Sequence, residues 1–265
     1  MNLYIVVSRG DGDDDQAGDI VSLISVALFV VAWVKTGKGR MTTRTVLVAT
    51  SNAGKLRDFA GAAPFGITIA TFPNFSSLPE VIEDGTTFEE NARKKAESYS
   101  LAVPGELVLA DDSGLEIDAL GGAPGVRSAR YAADELASGD DNDNKHGNER
   151  PDEPDAVERN SNSNDEANNG RVLRELANVA AEKRTARFVC VLAVARDGQT
   201  IHTFCGTAEG LILDAPRGNN GFGYDPLFYF RQIGKTFAEL STVKKAHYSH
   251  RGAAFRAFLS WYCET

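Results

Sequence analysis

Residues 45–64 read TVLVATSNAGKLRDFAGAAP, and this change from an aliphatic run to a polar turn to an amphipathic stretch decides the first unit of the fold. From Val46 the run VLVAT fits a buried strand, Ser51-Asn52-Ala53-Gly54 a turn, and residues 55 to about 63 a helix that Pro64 stops. A second helix is expected over residues 88–101, with Thr86 or Thr87 as N-cap and Glu89 and Glu90 at the positive end of its dipole. Residues 107–110 have the pattern of a buried strand and lead into a Gly-rich loop. Further on, a helix (171–183), a strand (186–195), a hairpin partner (200–206) and a helix (about 252–262) complete the pattern. Strands and helices alternate, so the class is α/β.

A length of 265 residues, 42% of them hydrophobic and 25% charged, suits one large domain or two small ones. The formal charge of −9 is local, because the stretch 134–166 holds twelve acidic residues against Lys145, Arg150 and Arg159. The remainder is balanced, which excludes the basic field that sequence-independent nucleic-acid binding needs. That acidic stretch is rich in Asp, Asn, Glu and Ser and has few apolar residues to offset ordering entropy, so it is expected to be a disordered surface insert. Cys190, Cys205 and Cys263 show neither CxxC spacing nor an even count, which fits a reducing cytoplasm, and Cys190 sits in an apolar run as a core residue.

Residues 1–40 are unlike the rest. An Asp-rich opening precedes the apolar run 20–34, IVSLISVALFVVAWV, and basic residues follow it. A secretory signal has the opposite order of charge, and fifteen residues fall short of the ~20 that span a bilayer. A membrane anchor is therefore not expected. Met41 stands directly before the first strand, so residues 1–40 are read as an extension outside the fold and 41–265 as the domain.

Four polar clusters fall at or just after expected strand ends, in loops. Thr50-Ser51-Asn52-Ala53-Gly54-Lys55 offers backbone N–H groups and a lysine to an anion, although a capped turn with a surface lysine has the same composition. It is not a GxxxxGK[ST] loop, since Ala49 and Leu56 stand at the first glycine and the hydroxyl. Glu83-Asp84-Gly85 and Asp111-Asp112-Ser113 bring carboxylates from separate segments, as a hard cation such as Mg²⁺ requires, while Asp pairs are also ordinary in turns. Asp111 and Asp112 repel if both are desolvated, a strain that a cation or an outward-pointing Asp111 relieves. In the fourth cluster, glycines bracket Phe222 and let the backbone approach a flat ligand on which the ring stacks; Lys245 and Ser249-His250-Arg251 follow downstream. No GxSxG elbow surrounds Ser113 or Ser249, which excludes a Ser/His/Asp hydrolase.

Five blocks in order, TSNAGK (50–55), EDGTTFEENA (83–92), ADDSGLEIDALGGAPGVRSARY (110–131), GFGYDPLF (221–228), and KTFAEL (235–240) with SHRG (249–252), resemble the inosine triphosphate pyrophosphatase family, the Ham1-like non-canonical purine NTP pyrophosphatases. The resemblance runs from about Val46 to Phe258 apart from the acidic insert. It implies a long twisted mixed sheet flanked by helices, with two lobes around a central substrate cleft, and a homodimer. It implies hydrolysis of ITP, dITP and XTP to monophosphate and pyrophosphate. By the same resemblance Thr50, Ser51, Asn52, Ala53, Gly54 and Lys55 cradle the triphosphate, Glu83 and Asp112 hold Mg²⁺, and Asp112 is the general base. Ser113 lies against the substrate, Phe222, Gly223, Tyr224 and Asp225 form the base and sugar pocket, Lys245 contacts the substrate, and His250 and Arg251 read the 6-oxo edge of the purine. Arg127, Ala133 and Lys244 depart from the family pattern. A non-catalytic nucleotide-binding module, tethered to a membrane through residues 20–34, is the alternative from a different class.

Overall fold

The computed structural model describes residues 44–72, 74–134 and 156–264. The extension 1–40, its apolar run and residues 135–155 of the acidic insert lie outside them. Strand β1 (Arg44–Val48) leads into helix α1 (Ala53–Ala62), whose N-cap Asn52 accepts the Lys55 N–H at 3.0 Å. Ala63 is extended, as the residue before a proline must be, and ends the helix. Strand β2 (Ile67–Ala70) returns parallel to β1 on its outer side. Helix α2 (Phe88–Ser100) is capped by Thr87, whose Oγ1 accepts Glu90 N–H, while the Glu90 carboxylate reaches back to Thr86 N–H at 2.7 Å. Strand β3 (Val108–Ile117) then lies parallel to β1 on its inner side.

From β3 onward the sheet is antiparallel. Strands β4 (Thr185–Arg196) and β5 (Gln199–Ile212) form a long hairpin around Asp197 and Gly198, both at positive φ, as a two-residue turn of the favoured hand needs. The short strands β6 (Phe228–Phe230) and β7 (Lys235–Thr236) complete the order β2-β1-β3-β4-β5-β6-β7. Helix α3 (Ala156–Glu175) precedes β4, and α4 (Thr242–Tyr248) and α5 (His250–Glu264) follow β7. The result is the expected α/β architecture, a mixed sheet flanked by helices.

Two expectations are corrected. Asp111, Asp112 and Ser113 are not in a loop: β3 continues through them, paired with Leu192, Val191 and Cys190 of β4. Polar residues are poor strand formers alone, but a full ladder on one side and countercharges on both faces hold them there. The helix expected over 171–183 instead runs from Ala156 to Glu175, so residues 156–166 are helical where no order was expected. Its apolar anchors, Val172 and Leu173, sit in its last turn with Leu176 just past its end, and one turn earlier the buried residue is the polar Asn168.

The core forms three clusters. Val46, Val48, Phe59, Leu109, Leu192 and Phe255 pack α1 and α5 on one face of β1, β3 and β4, with the Phe59 and Phe255 rings edge-on at 5.3 Å. Ala92, Ala96, Val108, Ala110 and Val191 pack α2 on the opposite face. The third cluster, with Leu115, Phe188, Leu227, Phe228 and Phe237, builds the lobe at the far end of β3 and β4. Along β3, Asp111, Asp112 and Ser113 fall between Leu109 of one lobe and Leu115 of the other. Among the described residues no helix is long and apolar enough to cross a membrane.

Candidate active site

Side chains alternate along a strand, so Asp111 and Asp112 leave β3 on opposite faces. This removes their mutual repulsion without exposing either: Asp111 is 2% and Asp112 6% exposed. Of the two means of relief named from the sequence, a cation or an outward-pointing Asp111, Asp111 does not take the second: it stays buried, and protein cations lie against each carboxylate.

On the α1 and α5 face, Lys55 Nζ approaches Asp111 Oδ2 at 3.2 Å, and Arg251 Nη2 lies 3.4 Å from the same oxygen. Ser113, two residues along the same face, donates to Asp111 Oδ2 at 3.2 Å and accepts from Arg251 Nη2 at 2.7 Å. Burial opposes ionisation of Asp111, but Lys55, Arg251 and Lys95 outweigh it and hold this carboxyl well below the usual range. The network extends through Asp58, one turn beyond Lys55 on α1. Asp58 Oδ2 accepts from Arg251 Nη1 at 2.7 Å and from Lys245 Nζ at 3.1 Å. Lys245 Nζ also pairs with Asp225 Oδ2 at 2.6 Å, and that oxygen accepts the Phe222 N–H at 3.0 Å.

The Phe222 ring closes this face. Lys245 Nζ lies 4.5 Å and the Arg251 guanidinium 5.6 Å from its centroid. The ring rests on Gly54, where a Cβ would meet it at 2.6 Å, so only glycine admits this approach.

On the α2 face, Lys95 Nζ sits between Asp112 Oδ1 at 3.1 Å and Glu83 Oε2 at 2.9 Å, and Asn91 Nδ2 donates to Asp112 Oδ2 at 3.2 Å. Asn91 and Lys95 are four apart and share the buried side of α2. Burial, reinforced by a hydrogen bond with Glu83 and by its charge, pushes Asp112 up to about 6 against the pull of Lys95. Burial also resists ionisation of Glu83, but Lys95 outweighs it and keeps Glu83 below its ordinary value. One carboxyl of the pair is therefore poised near neutrality while the other stays ionised.

The candidate residues divide into three sets. Lys55, Ser113, Phe222, Asp225, Lys245 and Arg251 join in one network with Asp111, and Glu83 joins Asp112 across the strand. Thr50, Ser51, Asn52 and Ala53 form the turn into α1, where Thr50 Oγ1 accepts Asn52 N–H at 3.2 Å. Tyr224 and His250 are turned into the core. The Tyr224 hydroxyl donates to Ser128 O at 2.8 Å, and the His250 ring stacks on Phe188 at 4.6 Å with Nδ1 buried and unpaired. Burial, then Arg251 and Lys245, drive His250 well below its ordinary value, so it is neutral at physiological pH.

Sequence reasoning missed Asp58, Asn91 and Lys95 as members of the site. The spacings 55/58 and 91/95, each on one helix face, are the signal that was present. Arg127, Ala133 and Lys244 are all exposed, and Arg127 pairs with Asp134 at 2.6 Å, so these departures lie outside the buried network.

Among the described residues no three His, Cys, Asp or Glu side chains converge as a metal cage. The pair Glu83 and Asp112 suits a cation that takes one or two carboxylates and completes its shell from water and phosphate.

Comparison with known proteins adds the following. A model of the Ham1 family matches residues 46–155 and 154–261. A dITP/XTP pyrophosphatase of Acidobacterium capsulatum is 48% identical over 217 residues, covering 82% of this chain and 97% of that protein. Among solved structures, the Ham1 protein of Staphylococcus aureus aligns with TM-score 0.61 at 36% identity, covering 82% of this chain and 97% of its own. A HAM1 protein from Coxiella burnetii aligns with TM-score 0.63 at 33% identity, covering 83% and 99%.

Proposed function

We propose that this chain, which belongs to the Ham1 family, hydrolyses non-canonical purine nucleoside triphosphates, ITP, dITP and XTP, to monophosphate and pyrophosphate. The observation that carries this reading is the buried strand segment with a poised carboxyl on one face and a lysine and arginine network on the other. Relatives named for catalysis favour it over a non-catalytic binding module.

In this reading Asp112 takes the proton from a water that attacks the α-phosphorus. The bond from that phosphorus to the bridging oxygen breaks, and pyrophosphate leaves with the electron pair. A carboxyl raised to about 6 is ionised at neutral pH and still basic enough to accept that proton. Lys55 and Lys245 hold phosphate oxygens, exchanging carboxylate partners for them. The base stacks on Phe222, and Arg251, whose guanidinium lies 5.6 Å from that ring, meets the 6-oxo group, while His250, stacked on Phe188 in the core, would reach that group only by leaving its seat. An amino group there would leave a buried donor unpaired, at about 1–3 kcal/mol per mismatch.

Glu83 and Asp112 are the residues that would hold Mg²⁺, in the place where Lys95 now neutralises both. Bound there, the cation would offset charge on the phosphate oxygens. A cytoplasmic homodimer is part of the same reading, and light scattering tests the dimer.

The test is an assay of purified protein with Mg²⁺ and, separately, ITP, XTP, dITP, GTP and ATP, measuring pyrophosphate and orthophosphate. Pyrophosphate from the first three with little from ATP is expected, and removal of divalent cations by chelation should abolish it. Orthophosphate alone, or no product, refutes the reading.

A further inference from the structure

Helix α3 reaches the loop that carries Phe222 at Gly223. Asp165 Oδ2 accepts the Gly223 N–H at 2.6 Å, and Asn169 Nδ2 donates to Gly223 O at 3.0 Å. Residues i and i+4 share a helix face, so one face of α3 grips both backbone groups of one residue. Gly223 has φ +61°, a conformation that disfavours any side chain and leaves the next peptide turned toward the helix. From the opposite side the loop is held by Asp225, which accepts the Phe222 N–H and pairs with Lys245. Phe222 is therefore fixed between Asp225 within its own loop and the Asp165 and Asn169 pair on α3.

A second observation supports a role beyond holding the helix. Asn169 Oδ1 is buried with no hydrogen-bond partner. No protein group pairs with that acceptor, so the orientation of the amide is set by the bond its nitrogen donates to Gly223.

We propose that Asp165 and Asn169 are positioning residues for the base pocket: by clamping Gly223 they set the plane of the Phe222 ring against which a flat base stacks. The inference rests on the assignment of residues 222–225 to that pocket in the preceding subsection. It also gives the end of the acidic stretch 134–166 a task, since Asp165 belongs to it.

Steady-state kinetics with ITP on full-length Asp165→Ala, Asp165→Asn, Asn169→Ala, Phe222→Ala and the double variant Asp165→Ala/Phe222→Ala test this. Loss of a charge-assisted bond to the backbone should raise KM about tenfold in Asp165→Ala, with kcat changed much less. Asp165→Asn retains an oxygen that accepts the Gly223 N–H and should recover most of the wild-type KM. In the Phe222→Ala background Asp165→Ala should add nothing, because its effect passes through the ring. A wild-type KM in Asp165→Ala, or an effect that persists undiminished without the Phe222 ring, overturns the clamp. An unchanged KM in Phe222→Ala is a different result: it overturns the base-pocket assignment itself.

Discussion

Helix α5 carries His250 and Arg251, and its seat on the sheet depends on one missing side chain. A Cβ at Gly206 of β5 would stand 2.2 Å from His250 O and 2.4 Å from Ala254 N. Both are backbone atoms, so no rotamer change relieves the overlap. An ordinary contact needs about 3.5 Å, and α5 must lift by about 1 Å in Gly206→Ala. Overpacking of this kind costs about 1–3 kcal/mol. The lift also draws Arg251 from Asp58 and Asp111, where its guanidinium now sits at 2.7 and 3.4 Å. Loosening a buried, hydrogen-bonded charge pushes the cost toward the upper end of that range. For a domain of this size each kcal/mol lowers Tm by about 2–4 °C, so Gly206→Ala should melt about 5–10 °C below wild type in calorimetry. Turnover of ITP by the fraction still folded should fall as well. A Tm within about 1 °C of wild type would refute the reasoning, because it would mean that α5 is not pressed on β5 at this glycine.

Three further outcomes are expected. Gly54→Ala, which improves helix propensity by up to about 1 kcal/mol but drives a Cβ into the Phe222 ring, should leave Tm unchanged or higher while raising KM for ITP about tenfold; parallel loss of Tm would place the defect in folding. Asp112→Asn should lower kcat at least a hundredfold with little change in KM, as loss of a general base does; normal turnover in the presence of Mg²⁺ would remove Asp112 from that role. His250 has its folded pKa depressed well below 6.5, so its contribution to stability is complete above that value and is lost as pH falls toward the folded pKa, by at most about 1.4 kcal/mol per pH unit. Urea unfolding from pH 7.5 to 5 should therefore be flatter in His250→Gln than in wild type, and equal slopes would contradict the buried neutral imidazole.

Local chemistry made part of this molecule legible. Thr87 announces the start of α2 because a capping side chain acts on a backbone three residues away, whereas Asn52, read only as part of a turn, caps α1, which begins two residues before its expected start. The strand around Asp111 is a different case. Its pairing with β4 and its ion pairs with Lys55 and Arg251 come from distant positions, and a window of local sequence contains none of them, so Asp-Asp-Ser resembled a turn. Helix α3 escaped for a related reason. Its inward residues include Asn168, whose amide serves Ala132 N–H and the carbonyls of Ser128 and Ala129, and polar contacts leave no apolar period to read. The carboxylate clusters were visible as clusters, but Lys95, which acts on Glu83 and Asp112, and Asp58, which ties Arg251 to Lys245, become partners only once two helices pack on opposite faces of one strand.

The ion pairs around β3 have an electrical consequence. On the α1 and α5 face Lys55, Lys245 and Arg251 are matched one for one by Asp58, Asp111 and Asp225, and on the other face Lys95 meets both Glu83 and Asp112. The network thus holds its cations already neutralised, with a slight negative excess, and of itself offers a polyanion no long-range attraction. A phosphate chain approaching it would gain a lysine only as an internal carboxylate gave one up, so its affinity would reflect a swap of partners rather than the filling of a vacant charge.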